Sequence, residues 1–343
     1  MQVNVTIIGL DRLSASLGLA IKRYERRPKN EHQFTITGSD AKPNPLKAAE
    51  RIGAVDRTDR AIDKALQNAD VVIMNAPFGQ LEAIYAAMGA EIKPGVVVLD
   101  LALLKQPAIT WAERHFPKND QGAPLAYLVG ITPIISYSAL YSGGIEVEDA
   151  REDLFDGSEI LIAPDPKCPG RAINLAEDMA GIVGGKPRFI DPAEHDGLIA
   201  ATEGLPAVLG AGLFYMFQKS EGWTELRRLI NPALALQIQN LRHQSDKDLL
   251  AFFTQNRANL AQRLETLIGT LAEMRGALAD PEGDEKLEAL LARVQVEWEK
   301  WDLKRQTGNW DGSPVPDVAG GAMNSLMGGL FGGLGRRKPD QDE

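Results

Sequence analysis

The sequence predicts an α/β protein with a doubly wound parallel sheet, followed by an all-α helical region. Over the first hundred residues, short apolar runs rich in β-branched residues alternate with segments of helical spacing. Such alternation is typical of parallel strands that are covered by helices on both faces. From Pro192 onward, helical apolar spacing dominates and strand signals are few.

The first strand and its turn set the topology. Residues 3–8 form an apolar run that ends at Gly9 and leads into a helix, which is the entry unit of a dinucleotide-binding βαβ fold. In the GxGxxG pattern of such units, the middle glycine lets the backbone approach phosphates at the helix N-terminus. Here Asp11 stands at the middle position and Ser14 at the last. The unit therefore predicts a Rossmann-type sheet whose phosphate loop carries an acidic side chain.

Residues at the carboxyl ends of predicted strands are the candidates for binding NAD or NADP. Asp40 closes the predicted strand 34–40, where it would bind the ribose hydroxyls of NAD and disfavour a 2′-phosphate, although Lys42 lies close by. The alternative is a polar residue that only closes a strand. Arg12 is expected to offset part of the charge of Asp11. The expected cofactor-binding residues are Gly9, Leu10, Asp11, Arg12, Leu13, Asp40, Ala76 and Pro77.

The other elements of the first predicted domain, residues 1–191, follow the same alternation. The loop 131–144 is rich in Pro, Gly, Ser and Tyr and is long for a connection, so we expect a ligand wall or a lid there. Strands are predicted at 70–77, 96–100, 127–130, 159–163 and 187–190, and helices at 15–22, 45–55, 61–69, 81–92, 109–115 and 172–183.

The second predicted domain, residues 192–305, contains helices only. Asn231 and Pro232 are expected to break one of them. The segment 246–278 carries more apolar surface than one small domain hides, so these helices are expected to form a homodimer interface. The helices are predicted at 198–218, 225–242, 246–278 and 284–303.

The tail, residues 306–343, is predicted to be disordered because Gly, Pro, Asp and Ser dominate it. Apolar residues between Met323 and Leu334 recur at helical spacing and precede the basic residues 336–338. This pattern is typical of a small anchor that docks on a partner or a membrane surface. The competing interpretation is a tail without a helix, since each glycine costs about 1 kcal/mol in a helix relative to alanine.

Composition narrows the function classes. The chain has 343 residues and a net charge of −10, which argues against a nucleic-acid partner held by phosphate neutralisation. The one cysteine, Cys168, excludes an intramolecular disulfide or a thiolate metal cluster and favours the cytoplasm. No continuous run reaches the roughly 18 to 20 apolar residues of a membrane helix, so no transmembrane segment is expected.

Several short stretches, taken in order, match one known family: Ile7-Ile8-Gly9-Leu10 with Ser16-Leu17, Ala76-Pro77, Lys93-Pro94-Gly95 with Asp100 and Lys105, Asp153-Leu154-Phe155-Asp156-Gly157, Asp191-Pro192-Ala193-Glu194-His195-Asp196, Leu205-Pro206 and Asn256-Arg257. Over roughly residues 3–280, the sequence resembles the prephenate and arogenate dehydrogenase family of tyrosine biosynthesis. The order and spacing of the stretches carry this resemblance.

The resemblance implies an NAD(P)-dependent oxidative decarboxylation of a small cyclohexadienyl carboxylate, with hydride passing from the ring carbon that bears the hydroxyl to nicotinamide. Such chemistry needs a base near that hydroxyl and cationic groups for the carboxylates. Of the family's polar set, Lys105 and Arg228 remain in this sequence. The family's two histidines fall on Thr132 and Gly204, and its serine falls on Leu103.

These substitutions leave three hypotheses. In the first, the chain is a divergent but active dehydrogenase in which Glu203 replaces the missing base and Arg228 binds a substrate carboxylate. In the second, it is a non-catalytic dimeric binding or regulatory module that keeps the fold. The third is another Rossmann dehydrogenase with a helical domain, such as the β-hydroxyacid group. The catalytic candidates are Glu203, Lys105 and Arg228, whereas His195 is expected to cap or pack at the start of the first long helix.

Overall fold

The computed structural model of the chain describes residues 2–28 and 32–310. It divides the chain into two compact units, the first ending at Asp284 and the second beginning at Glu285. The strands are β1 (Gln2–Ile8), β2 (Gln33–Ser39), β3 (Arg57–Thr58), β4 (Val71–Met74), β5 (Val97–Asp100), β6 (Tyr127–Pro133), β7 (Glu159–Pro164) and β8 (Lys186–Phe189).

Helices make up the connections and most of the chain after β8. They are α1 (Arg12–Glu25), α2 (Pro43–Arg51), α3 (Ile62–Leu66), α4 (Leu81–Gly89), α5 (Lys105–His115), α6 (Gly170–Ile182), α7 (Pro192–Ile199), α8 (Leu205–Gln218), α9 (Trp223–Leu226), α10 (Pro232–Gln237), α11 (Asn240–His243), α12 (Asp246–Gln255), α13 (Arg257–Ala279) and α14 (Asp284–Thr307). A π-helical turn, Ala200–Gly204, joins α7 to α8.

One sheet holds these strands in the order β3-β2-β1-β4-β5-β6-β7-β8. Neighbouring strands run parallel, except that β6 and β7 are antiparallel. The strand order reverses between β1 and β4, beside Gly9. In such sheets, ligands bind outside the carboxyl ends of the strands at this switch point. The predicted fold class is confirmed.

Apolar side chains cover both faces of the sheet. On one face, the fully buried Ile7 and Ile36 belong to a cluster with residues of α1, α2 and α6. On the other face, Val72 belongs to a cluster with residues of α4 and α5. Ile199 of α7 and Phe252 of α12 also belong to this second cluster, so these two helices are attached to the sheet by apolar contact.

The turn after β1 depends on Gly9, whose φ is +82°. A side chain at this position would overlap the carbonyl oxygen of Asn75, and the Asn75 amide donates to the carbonyl of Ile8 at 2.7 Å. The ends of β1 and β4 therefore approach more closely than any residue with a Cβ allows. This approach brings the carboxyl ends of both strands together at the switch point.

The structure differs from the predicted elements at several boundaries. β6 continues to Pro133 rather than ending at 130, because residues 131–133 pair with the antiparallel strand β7. The predicted helix 225–242 is three short helices, α9 to α11. The predicted helix 246–278 breaks at Asn256, whose side-chain amide donates to the Asp196 carbonyl at 2.8 Å. Tertiary hydrogen bonds of this kind are invisible to local patterning.

One helical run of the described residues, Pro192–Gln218, is long and apolar enough to cross a membrane by length and composition. Polar residues interrupt it, so it is not one continuous apolar stretch. His195 and Ile199 at its amino-terminal end are buried in the protein, so this finding is weak evidence for a span. The predicted docking segment of the tail lies outside the described residues, and the predicted domain boundary at residue 191 stays a prediction.

We predict that Gly9→Ala destabilises the protein far more than Gly53→Ala. Both glycines have a positive φ, +82° and +75°, but a Cβ on Gly53 would meet open space. The control therefore measures the cost of the backbone conformation alone, about 1 kcal/mol. Gly9→Ala adds an overlap with the Asn75 carbonyl and should cost at least about 3 kcal/mol. Urea unfolding measures both, and equal losses would contradict this account of the turn.

Candidate active site

Thr132 and His195 meet at the carboxyl end of β6. The Thr132 hydroxyl oxygen lies 2.8 Å from the Nε2 atom of His195, which is near the start of α7. The His195 side chain is fully buried, whereas Thr132 is only partly buried. Because the two residues are 63 positions apart in the chain, only the packing of α7 on the sheet brings them into contact.

Asp196 fixes the orientation of the His195 ring. Its Oδ1 atom lies 3.1 Å from the His195 Nδ1 atom. The same carboxylate accepts hydrogen bonds from the amides of Lys105 at 2.7 Å and Gln106 at 3.0 Å, which are the first residues of α5. Asp196 therefore caps a helix N-terminus, where free amides and the helix dipole favour a negative charge. Thr132, His195 and Asp196 form a chain of hydroxyl, imidazole and carboxylate.

Burial lowers the pKa of His195 below its ordinary value of 6.5, because the imidazolium would lose its hydration inside the protein. The hydrogen bond to Asp196 opposes this shift, and the positive charge of Lys105 reinforces it. The ring is therefore neutral at pH 7. The neutral ring is the form that can accept a proton.

Lys105 is held inside the fold. Its ammonium donates to the backbone carbonyls of Asp100 at 3.0 Å, Ala102 at 2.7 Å and Ile131 at 2.8 Å. Burial lowers the pKa of Lys105 to about 8. Gly130 makes room for the aliphatic stem, since a Cβ there would lie 2.7 Å from the Lys105 Cδ atom. Through these contacts, Lys105 ties the carboxyl ends of β5 and β6 together.

The other two catalytic candidates lie apart from this chain of groups. Glu203 lies in the π-helical turn, about 12 Å from His195 along the helix axis at 1.5 Å per residue. Its side chain is accessible to solvent, and the surrounding protein raises the pKa of Glu203 by desolvation. π-helical turns are frequent at functional sites. Arg228 is exposed after α9 and pairs with Glu225 at 3.6 Å.

Packing fills the two positions, Gly204 and Leu103, on which the resemblance places the family's second histidine and its serine. A Cβ on Gly204 would lie 3.1 Å from the Leu260 Cδ1 atom and 3.6 Å from the Phe252 Cζ atom. A larger residue there would push against α12 and α13. Leu103 is partly buried and packs against the apolar cluster that contains Phe252.

Five amides of the phosphate loop already have partners within the chain. They are Gly9 with the Ser39 carbonyl at 2.8 Å, Leu10 with the Asp40 carboxylate at 2.9 Å, Asp11 with the Ser14 hydroxyl at 3.0 Å, Arg12 with the Ile145 carbonyl at 2.9 Å, and Ser14 with the Asp11 carboxylate at 2.9 Å. Asp11 and Ser14 thus form a capping box at the N-terminus of α1.

A strap, residues 137–149, lies against this loop. The Arg12 guanidinium donates to the carbonyls of Ser142 at 2.8 Å and Gly144 at 2.9 Å and to the Ser142 hydroxyl at 2.7 Å. Ala139 and Val147 of the strap are buried in the first core cluster. The end of the loop that the sequence predicts as a ligand wall therefore packs on the N-terminus of α1.

These contacts decide how well the site fits a dinucleotide. Asp40 fits a ribose, because its two oxygens accept from the amides of Leu10 and Lys42 and each keeps further acceptor capacity. A pyrophosphate does not fit the observed arrangement. The Asp11 carboxylate and the Ile145 carbonyl stand at the helix N-terminus, where a phosphate would take the same amides and meet a like charge.

The remaining predicted cofactor residues surround the switch point. Leu13 packs on the edge of the first core cluster. Ala76 and Pro77 follow β4 and lead into the turn Phe78–Gln80, whose Phe78 ring packs edge-on against Phe252 at 6.1 Å between centroids. Their role in cofactor binding stays a prediction.

The local sequence pattern favours a capping or packing role for His195 and does not predict its pairing with Thr132. The stretch 191–196 is the part of the sequence that carries a signal for this pairing. Asp191 caps α7 through the amide of Ala193 at 2.8 Å, so His195 and Asp196 are free to face the sheet.

Among the described residues, no cluster of His, Cys, Asp and Glu side chains could hold a metal ion.

The sheet order, the Gly9 turn and the switch point define a Rossmann-type fold that continues into a helical segment. Residues 24–188 match the family model described as prephenate dehydrogenase, nucleotide-binding domain. Over this part of the chain, the sequence is therefore similar to the nucleotide-binding domain of prephenate dehydrogenases.

Similar proteins extend the match beyond this domain. The cyclohexadienyl dehydrogenase of Zymomonas mobilis subsp. mobilis is 23% identical over 289 residues, which cover 83% of this chain and 92% of that protein. The prephenate dehydrogenase of Aquifex aeolicus, in complex with hydroxyphenyl propionate and NAD+, superposes with a TM-score of 0.70 at 19% identity, over 87% of this chain and 98% of that chain. The Synechocystis arogenate dehydrogenase gives 0.61 at 16% identity, over 87% and 100%. At these identities, the structural likeness shows the fold.

We predict that Lys105→Met destabilises the protein by about 3 kcal/mol or more, because three buried carbonyls lose their donor. The matched control is Lys167→Met, whose ammonium pairs with Glu113 at the surface and should contribute less than about 1 kcal/mol. Urea unfolding measures both variants. A Lys105→Met protein with wild-type stability and lost activity would instead support a catalytic role for Lys105.

Proposed function

We propose that this chain is an NAD(P)-dependent oxidoreductase of the prephenate dehydrogenase type, acting on a small cyclohexadienyl carboxylate. The observation that carries the proposal is the Thr132–His195–Asp196 chain at the carboxyl end of β6. It puts a neutral imidazole within reach of the position where the family's histidine is replaced by threonine. Of the similar proteins, one is called a cyclohexadienyl dehydrogenase and one was solved with hydroxyphenyl propionate and NAD+.

Other residues have supporting roles in this proposal. Asp40 would bind the ribose of the cofactor, and the Gly9 turn would bring the backbone near the phosphates after the strap has moved. Arg228 is proposed to bind a substrate carboxylate, since guanidinium binds carboxylates in a bidentate way. Glu203, with its raised pKa, is proposed as a second acid or base at the helical side of the site.

We also propose that the protein is a cytoplasmic homodimer. Large apolar side chains are exposed on the helices that follow β8, among them Tyr215, Met216, Leu236, Ile268 and Leu271. A second copy of the chain would cover such a surface. The free thiol of Cys168 fits a reducing compartment. Light scattering distinguishes the dimer from a monomer.

The activity has a direct test. The purified protein should reduce NAD or NADP in the presence of prephenate or arogenate, followed by absorbance at the nicotinamide band. Thr132→Val is expected to lose about 10²- to 10⁴-fold in turnover, the usual contribution of general base catalysis. Absence of turnover above the rate without protein, for every combination of cofactor and substrate, would contradict the proposed activity.

A second candidate function is a non-catalytic binding or regulatory module. The observation that favours it is the phosphate loop, where Asp11 and the strap take the amides that a pyrophosphate needs. A chain that has lost cofactor binding would be free to keep this arrangement permanently.

We predict that Asp11→Gly raises the affinity for NAD+ at least about tenfold over the wild type, because it removes a like charge and frees the Ser14 amide. Isothermal titration calorimetry measures the affinity. The control Asp120→Gly makes the same change of net charge in an exposed loop before β6 and should leave the affinity unchanged. Micromolar binding by the wild type would count against the non-catalytic module, and equal affinities of wild type and Asp11→Gly would contradict the account of the loop.

A further inference from the structure

We propose that Thr132 is a proton relay that connects the substrate hydroxyl to the buried base His195. The inference rests on the proposed function and names the residues that supply its base. It assigns the proton-accepting role to a histidine 63 positions away from the substituted family position. Thr132 cannot act as a base by itself, but in this arrangement it passes the substrate proton on to His195.

The hydrogen-bond directions follow from the partners of Asp196. Its carboxylate accepts from the amides of Lys105 and Gln106 and is therefore fixed in place as an acceptor. The proton between Asp196 and His195 accordingly lies on Nδ1, at 3.1 Å from Oδ1. The Nε2 atom then carries a lone pair, so the Thr132 hydroxyl donates to it across 2.8 Å.

Burial makes the hydroxyl the path to the ring. The His195 side chain is fully enclosed, so a substrate cannot touch the imidazole directly. Thr132 is partly exposed at the carboxyl end of β6, on the edge of the sheet where ligands of this fold bind. A hydroxyl donates one hydrogen bond and accepts others, so Thr132 can take a proton from one side while it gives its own to the other.

Two charged groups act on the His195 ring, Asp196 from α7 and Lys105 from α5. The neutral hydroxyl of Thr132 contacts the ring from β6, and Asn256 donates to the backbone carbonyl of Asp196 beside it. Lys105 is itself bound by three carbonyls at 2.7 to 3.0 Å. This surrounding keeps the ring neutral before the reaction and gives the imidazolium a carboxylate partner afterwards.

The proton step is balanced. The O–H bond of the substrate breaks and its proton binds to the Thr132 oxygen, while the Thr132 proton moves to the Nε2 atom of His195. The imidazolium is then paired with Asp196. The proton returns to water by the reverse path once the product has left. The step involves no change of oxidation state in the protein.

Kinetics provide the first test. Thr132→Val should lower kcat by about 10²- to 10⁴-fold with little change in KM, whereas Thr132→Ser, which keeps the hydroxyl, should stay within about tenfold of the wild type. His195→Gln should lose as much as Thr132→Val, and the double variant no more than either. The wild-type rate should fall in acid with an apparent pKa below 6.5, because protonation removes the base. A Thr132→Val enzyme with wild-type kcat would overturn the relay.

A second test separates the relay from the proposed activity. Histidine nitrogen NMR of the protein without ligands should show a higher pKa for His195 in Thr132→Val than in wild type or Thr132→Ser, since the hydroxyl bond stabilises the neutral ring. An inactive wild type that shows this rise rejects the dehydrogenase and keeps the proton-accepting pair. An unchanged His195 pKa in Thr132→Val overturns the relay, whatever the activity.

Discussion

The carboxylate of Asp196 is the interaction on which the rest of the site depends. It caps α5 through two amides and bonds to the ring of His195, so that one side chain of α7 joins that helix to α5, which covers one face of the sheet. Asn256 adds a bond to the backbone carbonyl of the same residue. A buried charge is stable only with such partners, and one of them, His195, is the residue whose ring contacts Thr132.

The phosphate loop, at the other end of the site, is closed by hydrogen bonds within the chain. At the phosphate loop, Asp11 accepts from the Ser14 amide and the strap accepts from the Arg12 amide, and the Arg12 side chain binds the strap by three hydrogen bonds. The Thr132–His195–Asp196 chain is thus held in place by its own hydrogen bonds, whereas the phosphate loop is closed by the strap. A dinucleotide would have to compete with internal hydrogen bonds of the chain, and its net affinity would be reduced by the free energy of opening the strap.

Much of the fold follows from local patterning, and the site does not. Continuous β-branched runs such as Val71–Met74 predict buried parallel strands wherever they occur, and the Gly9 turn predicts the topology at the switch point. The end of β6 could not be predicted, because residues 131–133 become a strand only by pairing with a distant antiparallel neighbour. The Thr132–His195 contact has the same origin, since it depends on how the helix docks.

Some candidate residues have positions that local sequence rules predict, and others have positions that depend on tertiary packing. Asp11 and Asp40 lie at helix and strand ends that local sequence rules identify, and the structure places them there. Lys105 is a lysine whose three carbonyl partners come from β5, from the residues after it and from β6, so its buried position requires the assembled sheet. Arg228 and Glu203 lie on the helical segment, and their relation to a substrate depends on packing that periodicity does not encode.

The protonation state of His195 in the unliganded protein at pH 7 tests the central claim most directly. Histidine nitrogen shifts distinguish the two neutral tautomers from the imidazolium. The account predicts a neutral ring with its proton on Nδ1, facing Asp196, and an unprotonated Nε2 that accepts from Thr132. A proton on Nε2, or a charged ring at that pH, would contradict it.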